Sequence, residues 1–125
     1  MSDEGCTVEI ENVRNVLSAI ADKWTLIVLE ELGERTLRFG ELQRAAGRVS
    51  QKVLTQTLRD MERDGFVTRT VHPEVPPRVE YTLTPMGHDL SYAICGIWKW
   101  TSGNYARVLQ ARAAFDAART QRVTA

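Results

Sequence analysis

Lys52, Thr55, Gln56, Arg59 and Arg63 recur at helical spacing through SQKVLTQTLRDMERDG, residues 50–65. At 100° per residue they fall within about 60° of one line, and Leu54, Leu58 and Met61 lie opposite. These are side chains that can read the edges of bases. Lys and Arg donate to guanine acceptors, Gln matches adenine, and a Thr methyl can meet a thymine methyl. A helix that enters a major groove does its reading mainly with its N-terminal half. Here that half runs from Ser50 to Arg59 and contains no acid. Ser50, Gln51, Lys52, Thr55, Gln56 and Arg59 are therefore the candidate DNA-contacting residues. The competing reading is the solvated polar face of an amphipathic helix, which needs no ligand.

Such a face has to be held out from a scaffold, and the flanking sequence describes one. Ser50 is a natural N-cap, its hydroxyl accepting from a free amide of the first turn. Gly65 ends the helix. Upstream, RTLRFGELQRAAG (35–47) predicts a short extended piece at 36–38 and then a helix with Phe39, Leu42 and Ala46 inward, stopping at Gly47. Two short helices joined by a three-residue turn containing Gly outline a helix-turn-helix. After Gly65 the period changes from 3.6 to 2. Val79, Tyr81 and Leu83 share one face of a strand, while Arg69 interrupts the Val67 and Val71 face of its neighbour. A Pro-stiffened tip, PEVPPR, joins them. A hairpin directly after a helix-turn-helix makes a wing. Arg78 at its tip can reach phosphates or a minor groove, whose negative potential attracts Arg, or it can pair with Glu74 or Glu80. Arg38 and Arg48, at the edges of the motif, are candidate phosphate contacts.

The outer segments complete the picture. Residues 1–9 read as a mobile arm. Ile10, Val13, Val16, Leu17 and Ile20, then Trp24, Ile27, Val28 and Leu32, predict two helices within 10–33, with Gly33 as a cap. Thr84-Pro85 opens a last helix, Thr as N-cap and Pro at the first position. It is expected over 85–118, with Gly96 and Gly103 as possible kinks. A helix of about 30 residues is roughly 45 Å long, more than a small winged core can cover. Its apolar face, with Trp98 and Trp100, needs another surface, and a second copy is the simplest. Trp24, Trp98, Trp100 and Tyr105 can serve that packing or line an effector pocket. The expected fold is mainly α with a small β-hairpin wing: one α+β winged helix-turn-helix domain over 1–125, with added N- and C-terminal dimerisation helices.

Composition narrows the function. The chain has 125 residues and a formal net charge of zero, but the charge is uneven. Residues 1–34 hold eight acids and two bases, 35–80 hold nine bases and six acids, and 81–125 hold five bases and two acids. No apolar run approaches the ~18 residues of a membrane span, and the N-terminus is acidic rather than signal-like. The cytoplasm is the expected location. Cys6 and Cys95 are the only cysteines, His72 and His88 the only histidines, and no metal-ligand spacing joins them. No phosphate loop and no nucleophile–base pair is present, so neither an enzyme nor a bound cofactor or metal is expected.

DKWTLIVLEEL, LRFGELQRAAGRVSQKVLTQTLRDMERDGFVTRTV and PEVPPRVEYTLTPMGHDL together resemble the HxlR-type family of bacterial winged helix-turn-helix regulators, relatives of the MarR group. The resemblance covers residues 6 to about 100. It implies a homodimer joined through the first and last helices, bound to a near-palindromic double-stranded DNA operator and acting as a transcriptional regulator, most often a repressor. The chain departs at Ala21-Asp22, where members carry a Gly pair before Lys-Trp; this touches helix packing rather than DNA contact. Several members carry a cysteine where Cys6 stands and sense oxidants or electrophiles with it, often with Pro following; here Thr7 follows. Cys6 is thus the candidate redox sensor. Asp3, Glu4 and Glu9 beside it oppose thiolate formation, and a small-molecule effector is the other expected trigger. Cys95 is expected as a small buried residue. The alternative function is a winged-helix module that binds protein rather than DNA.

Overall fold

The computed structural model describes residues 3–124, with side chains from 9 to 121. Five helices and three strands follow in the order α1 (Asp3–Ile20), α2 (Lys23–Glu31), β1 (Leu37–Arg38), α3 (Phe39–Ala45), α4 (Gln51–Arg63), β2 (Val67–His72), β3 (Arg78–Leu83) and α5 (Pro85–Thr124). This is a winged helix-turn-helix. The chain forms two compact units, Met1–Ser91 and Tyr92–Ala125, and among the described residues the buried apolar side chains all lie in the first.

The core forms where the apolar stripes of α2, α3 and α4 meet the sheet. Leu29, Leu32, Leu42, Leu54, Leu58 and Met61 are all buried. Each such side chain contributes about 1.5–3 kcal/mol of transfer free energy. The sheet is antiparallel in the order β1-β3-β2, with Leu37 opposite Tyr81, and Val67 opposite Leu83. Period-2 alternation sends Val67 and Leu83 inward. Thr36 and Thr82 on the other face share a hydrogen bond of 2.9 Å.

The helix ends follow from local chemistry. Asp22 caps α2 by accepting from the Trp24 and Thr25 amides at 3.1 and 3.4 Å. Asp is a better cap here than the Gly that the resemblance implies. Leu32, not Gly33, is the C-cap of α2. Gly47 and Gly65 do adopt positive φ, +90° and +82°. At Gly65 the Phe66 amide bonds to the Met61 carbonyl and the Gly65 amide to that of Glu62, the paired bonds of a Schellman end.

Three expectations change. A helix begins at Asp3, within the stretch expected as an arm. Along that helix Val13, Val16 and Leu17 are more than half exposed. In the second unit α5 continues unbroken past Gly96 and Gly103 to Thr124, since glycine costs an exposed helix only about 1 kcal/mol. That unit is helix alone, with Ile97, Trp98, Trp100 and Phe115 exposed and Cys95 exposed and free rather than buried. Among the described residues no helix is long and apolar enough to cross a membrane.

Candidate nucleic-acid interface

The helix-turn-helix is fixed by short-range bonds before any ligand is considered. The Ser50 hydroxyl accepts from the Val53 amide at 3.1 Å and starts α4. The Gln43 side chain of α3 donates to the Val49 carbonyl at 3.2 Å, which ties the turn to the helix before it. Val49 itself is buried. At the far end the Thr84 hydroxyl donates to the Gly65 carbonyl at 2.6 Å and accepts from the Gly87 amide at 3.0 Å. It thereby joins the end of α4 to the first turn of α5. Gly87 is needed there, because a Cβ would run into the Phe66 carbonyl oxygen.

Held in this way, α4 turns Leu54, Thr57, Leu58 and Met61 inward. Thr57 is buried and donates its hydroxyl to the Val53 carbonyl at 2.9 Å. Ser50, Gln51, Lys52, Gln56, Arg59 and Arg63 are exposed, and Thr55 is half-buried at the edge of the same face. Gln56 donates to Asp60 at 3.0 Å, one turn on. Among the described residues no ion pair engages Lys52, Arg59 or Arg63. The structure thus brings together the recognition-helix candidates with their charges uncompensated.

The wing differs. Arg78 lies against Glu80 at 3.0 Å and Glu74 at 3.3 Å, and His72 approaches the same Glu80 oxygen at 3.3 Å. The Arg78 Nε is buried and makes only this ion contact, without an aligned hydrogen bond. Of the two sequence readings for Arg78, the carboxylate pairing is the one present. A phosphate would have to displace those partners.

Arg38 and Arg48 are exposed and unpaired among the described residues. Arg38 ends β1, and its amide donates to Glu41 at the start of α3 at 3.0 Å. Beside it the sequence reading missed Arg44. Both line a shallow hollow of about 550 Å3 with Thr36, Gly40, Glu41 and Glu80. The signal was available: Arg44 is the basic residue of the last turn of α3. Cys6 falls within α1, and its side chain lies outside the described residues. Among the described residues no cluster of His, Cys, Asp and Glu could hold a metal ion.

A family model described as HxlR-like helix-turn-helix matches residues 19–108. The chain belongs to the HxlR family. The matched span contains α2 through the wing and the first part of α5. Among HxlR relatives, the Escherichia coli HTH-type transcriptional regulator YtfH is 41% identical over 99 residues, 79% of each chain. A solved transcriptional regulator ytfH from Salmonella typhimurium is 40% identical, with a TM-score of 0.72 over 80% of this chain and 89% of that one. The redox regulator HypR in its oxidised form is 35% identical, with a TM-score of 0.68 over 74% and 96%. The HxlR relatives are transcriptional regulators rather than enzymes.

Proposed function

We propose that this protein is a sequence-specific DNA-binding transcriptional regulator that works as a homodimer, with α4 in the major groove. The observation that carries the reading is the exposed, acid-free first half of α4. It presents Lys52, Gln56 and Arg59 from a capped helix whose opposite face is buried. Gln51, Thr55 and Ser50 complete the base- and backbone-contacting set, and Arg38 and Arg48 take phosphates at the motif's edges. Arg78 joins them only when it leaves Glu74 and Glu80. The exposed apolar faces of α1 and of α5 support a second copy as the partner, and the two α4 helices then read a near-palindromic operator. A DNA-bound regulator of this kind works in the cytoplasm as a repressor.

The signal is read as redox or electrophile sensing through Cys6, supported by the likeness to the redox regulator HypR. The test is fluorescence anisotropy with DNA from upstream of the protein's own gene. Reduced protein, diamide-treated protein and treated Cys6→Ser are compared. Oxidation should change the affinity, and Cys6→Ser should abolish that change. Equal binding by all three would move the trigger away from Cys6. Affinity should also fall steeply with salt, as phosphate contacts release counterions. Absence of any binding or salt dependence would favour the protein-binding alternative.

A further inference from the structure

Within residues 1–91 a cleft of about 790 Å3 separates one flank of α4 from the junction of α1 and α2. That volume lies in the range of small-molecule sites, about 300–1,000 Å3. Its floor is apolar and aromatic: Met61 and Phe66 are buried and Trp24 is half-buried. Thr25, only 7% exposed, lines the cleft, and its hydroxyl meets no partner among the described residues. Three carboxylates, Asp22, Asp60 and Asp64, line it against one lining base, Lys52, with the Lys23 ammonium over the Trp24 ring as a second base nearby. Asp22 spends its Oδ2 on two backbone amides and Asp60 its Oδ1 on Gln56, which leaves one oxygen of each for a ligand. The Trp24 ring already holds a cation, the Lys23 ammonium, at 4.9 Å from its centroid.

We propose that this cleft binds a small lipophilic cation, a compound with aromatic or aliphatic bulk around one positive charge, and that its occupancy weakens DNA binding. The apolar floor takes the bulk. The carboxylates select the sign of the charge and repel anions of the same shape. Lys52 and Gln56 line the cleft and also belong to the face of α4 assigned to DNA, so a bound cation presses on that face. The coupling to DNA rests on the function proposed above; the ligand site does not. By linkage, operator DNA must weaken cation binding by the same factor.

Two ions of one shape and opposite charge make the test. Tetraphenylphosphonium and tetraphenylborate are titrated calorimetrically into the full chain without DNA. One phosphonium should bind per chain and the borate should not. In the double variant Asp60→Asn, Asp64→Asn, phosphonium affinity should fall at least about tenfold, which corresponds to about 1.4 kcal/mol. Thermal melting of the variant checks that it is folded. Equal binding of both ions, or unchanged affinity in a folded variant, overturns the site. So does a dimer that binds no phosphonium because a second copy fills the cleft. Saturating phosphonium should then weaken operator binding at least about tenfold in the wild type and not in the variant. Phosphonium binding with unchanged operator affinity overturns the coupling alone. Failure to bind DNA under any condition overturns the proposed function, while the calorimetry still decides the cleft.

Discussion

Arg59 and Arg78 are both arginines of the same motif, and their surroundings separate them. Arg59 is exposed on α4 with no acidic partner among the described residues, so its fork is free for a guanine edge or a phosphate. Arg59→Ala should weaken operator binding by about 1–3 kcal/mol and relax preference at one base position. Anisotropy against a set of single-base operator variants would reveal it, and an unchanged profile would remove Arg59 from readout. Arg78 starts from an ion pair with Glu80 and Glu74. If it exchanges them for phosphate, Glu80→Gln should raise affinity for all sequences. Arg78→Ala should lower it and reduce the salt slope by about one. If neither variant changes the slope, Arg78 does no more than hold the hairpin tip. The sequence contained both outcomes, because Glu74 and Glu80 flank Arg78. It could not rank them, since which carboxylates meet a guanidinium depends on the register of β2 against β3.

At the scale of elements, the helix-turn-helix and wing were legible because each boundary has a local cause. Ser50, Gly47, Gly65 and Thr84 are each a cap or a positive-φ turn, and each does locally what its type allows. Ser50→Ala should cost about 1 kcal/mol through the lost bond to the Val53 amide, seen as a lower midpoint in urea with an unchanged slope. Gly87→Ala should cost more, because the displaced group is the rigid Phe66 backbone. An equal melting temperature would mean that α5 shifts freely at its first turn. The segments that were misread lack such causes. The start of α1 has no Pro to mark it, Gly5 close to that start argues against a helix, and acidic residues alone do not distinguish a solvated arm from the beginning of a helix. Gly96 and Gly103 sit in exposed helix, where nothing but their modest propensity argues for a break. The cleft beside Asp22 was invisible for another reason: its walls come from positions as far apart as Asn15 and Phe66.

For the molecule as a whole, the apolar residues that find no place in the core support the proposed dimer. Val13 and Val16 on α1, and Ile97 and Trp98 on α5, remain exposed in the single chain. Large exposed apolar side chains repeated along one helix often mark a binding surface. Trp98→Glu should shift sedimentation toward monomer and weaken operator binding together. Loss of neither would mean that α5 is not the dimer seam. The sheet carries a different hazard. β3 is paired on both sides, but β2 is an outer strand, and among the described residues its second row of amides and carbonyls lacks a neighbouring strand. Val67 and Val71 share one side of that strand, and Arg69 stands between them. A charge within an open edge strand is one way such strands resist pairing with another molecule, and Arg69 is placed to act so. Arg69→Val would complete an apolar ladder along an open edge. It should leave the monomer fold intact yet lower the concentration at which light scattering first rises, so that one guanidinium on the wing keeps the protein from polymerising through its own sheet.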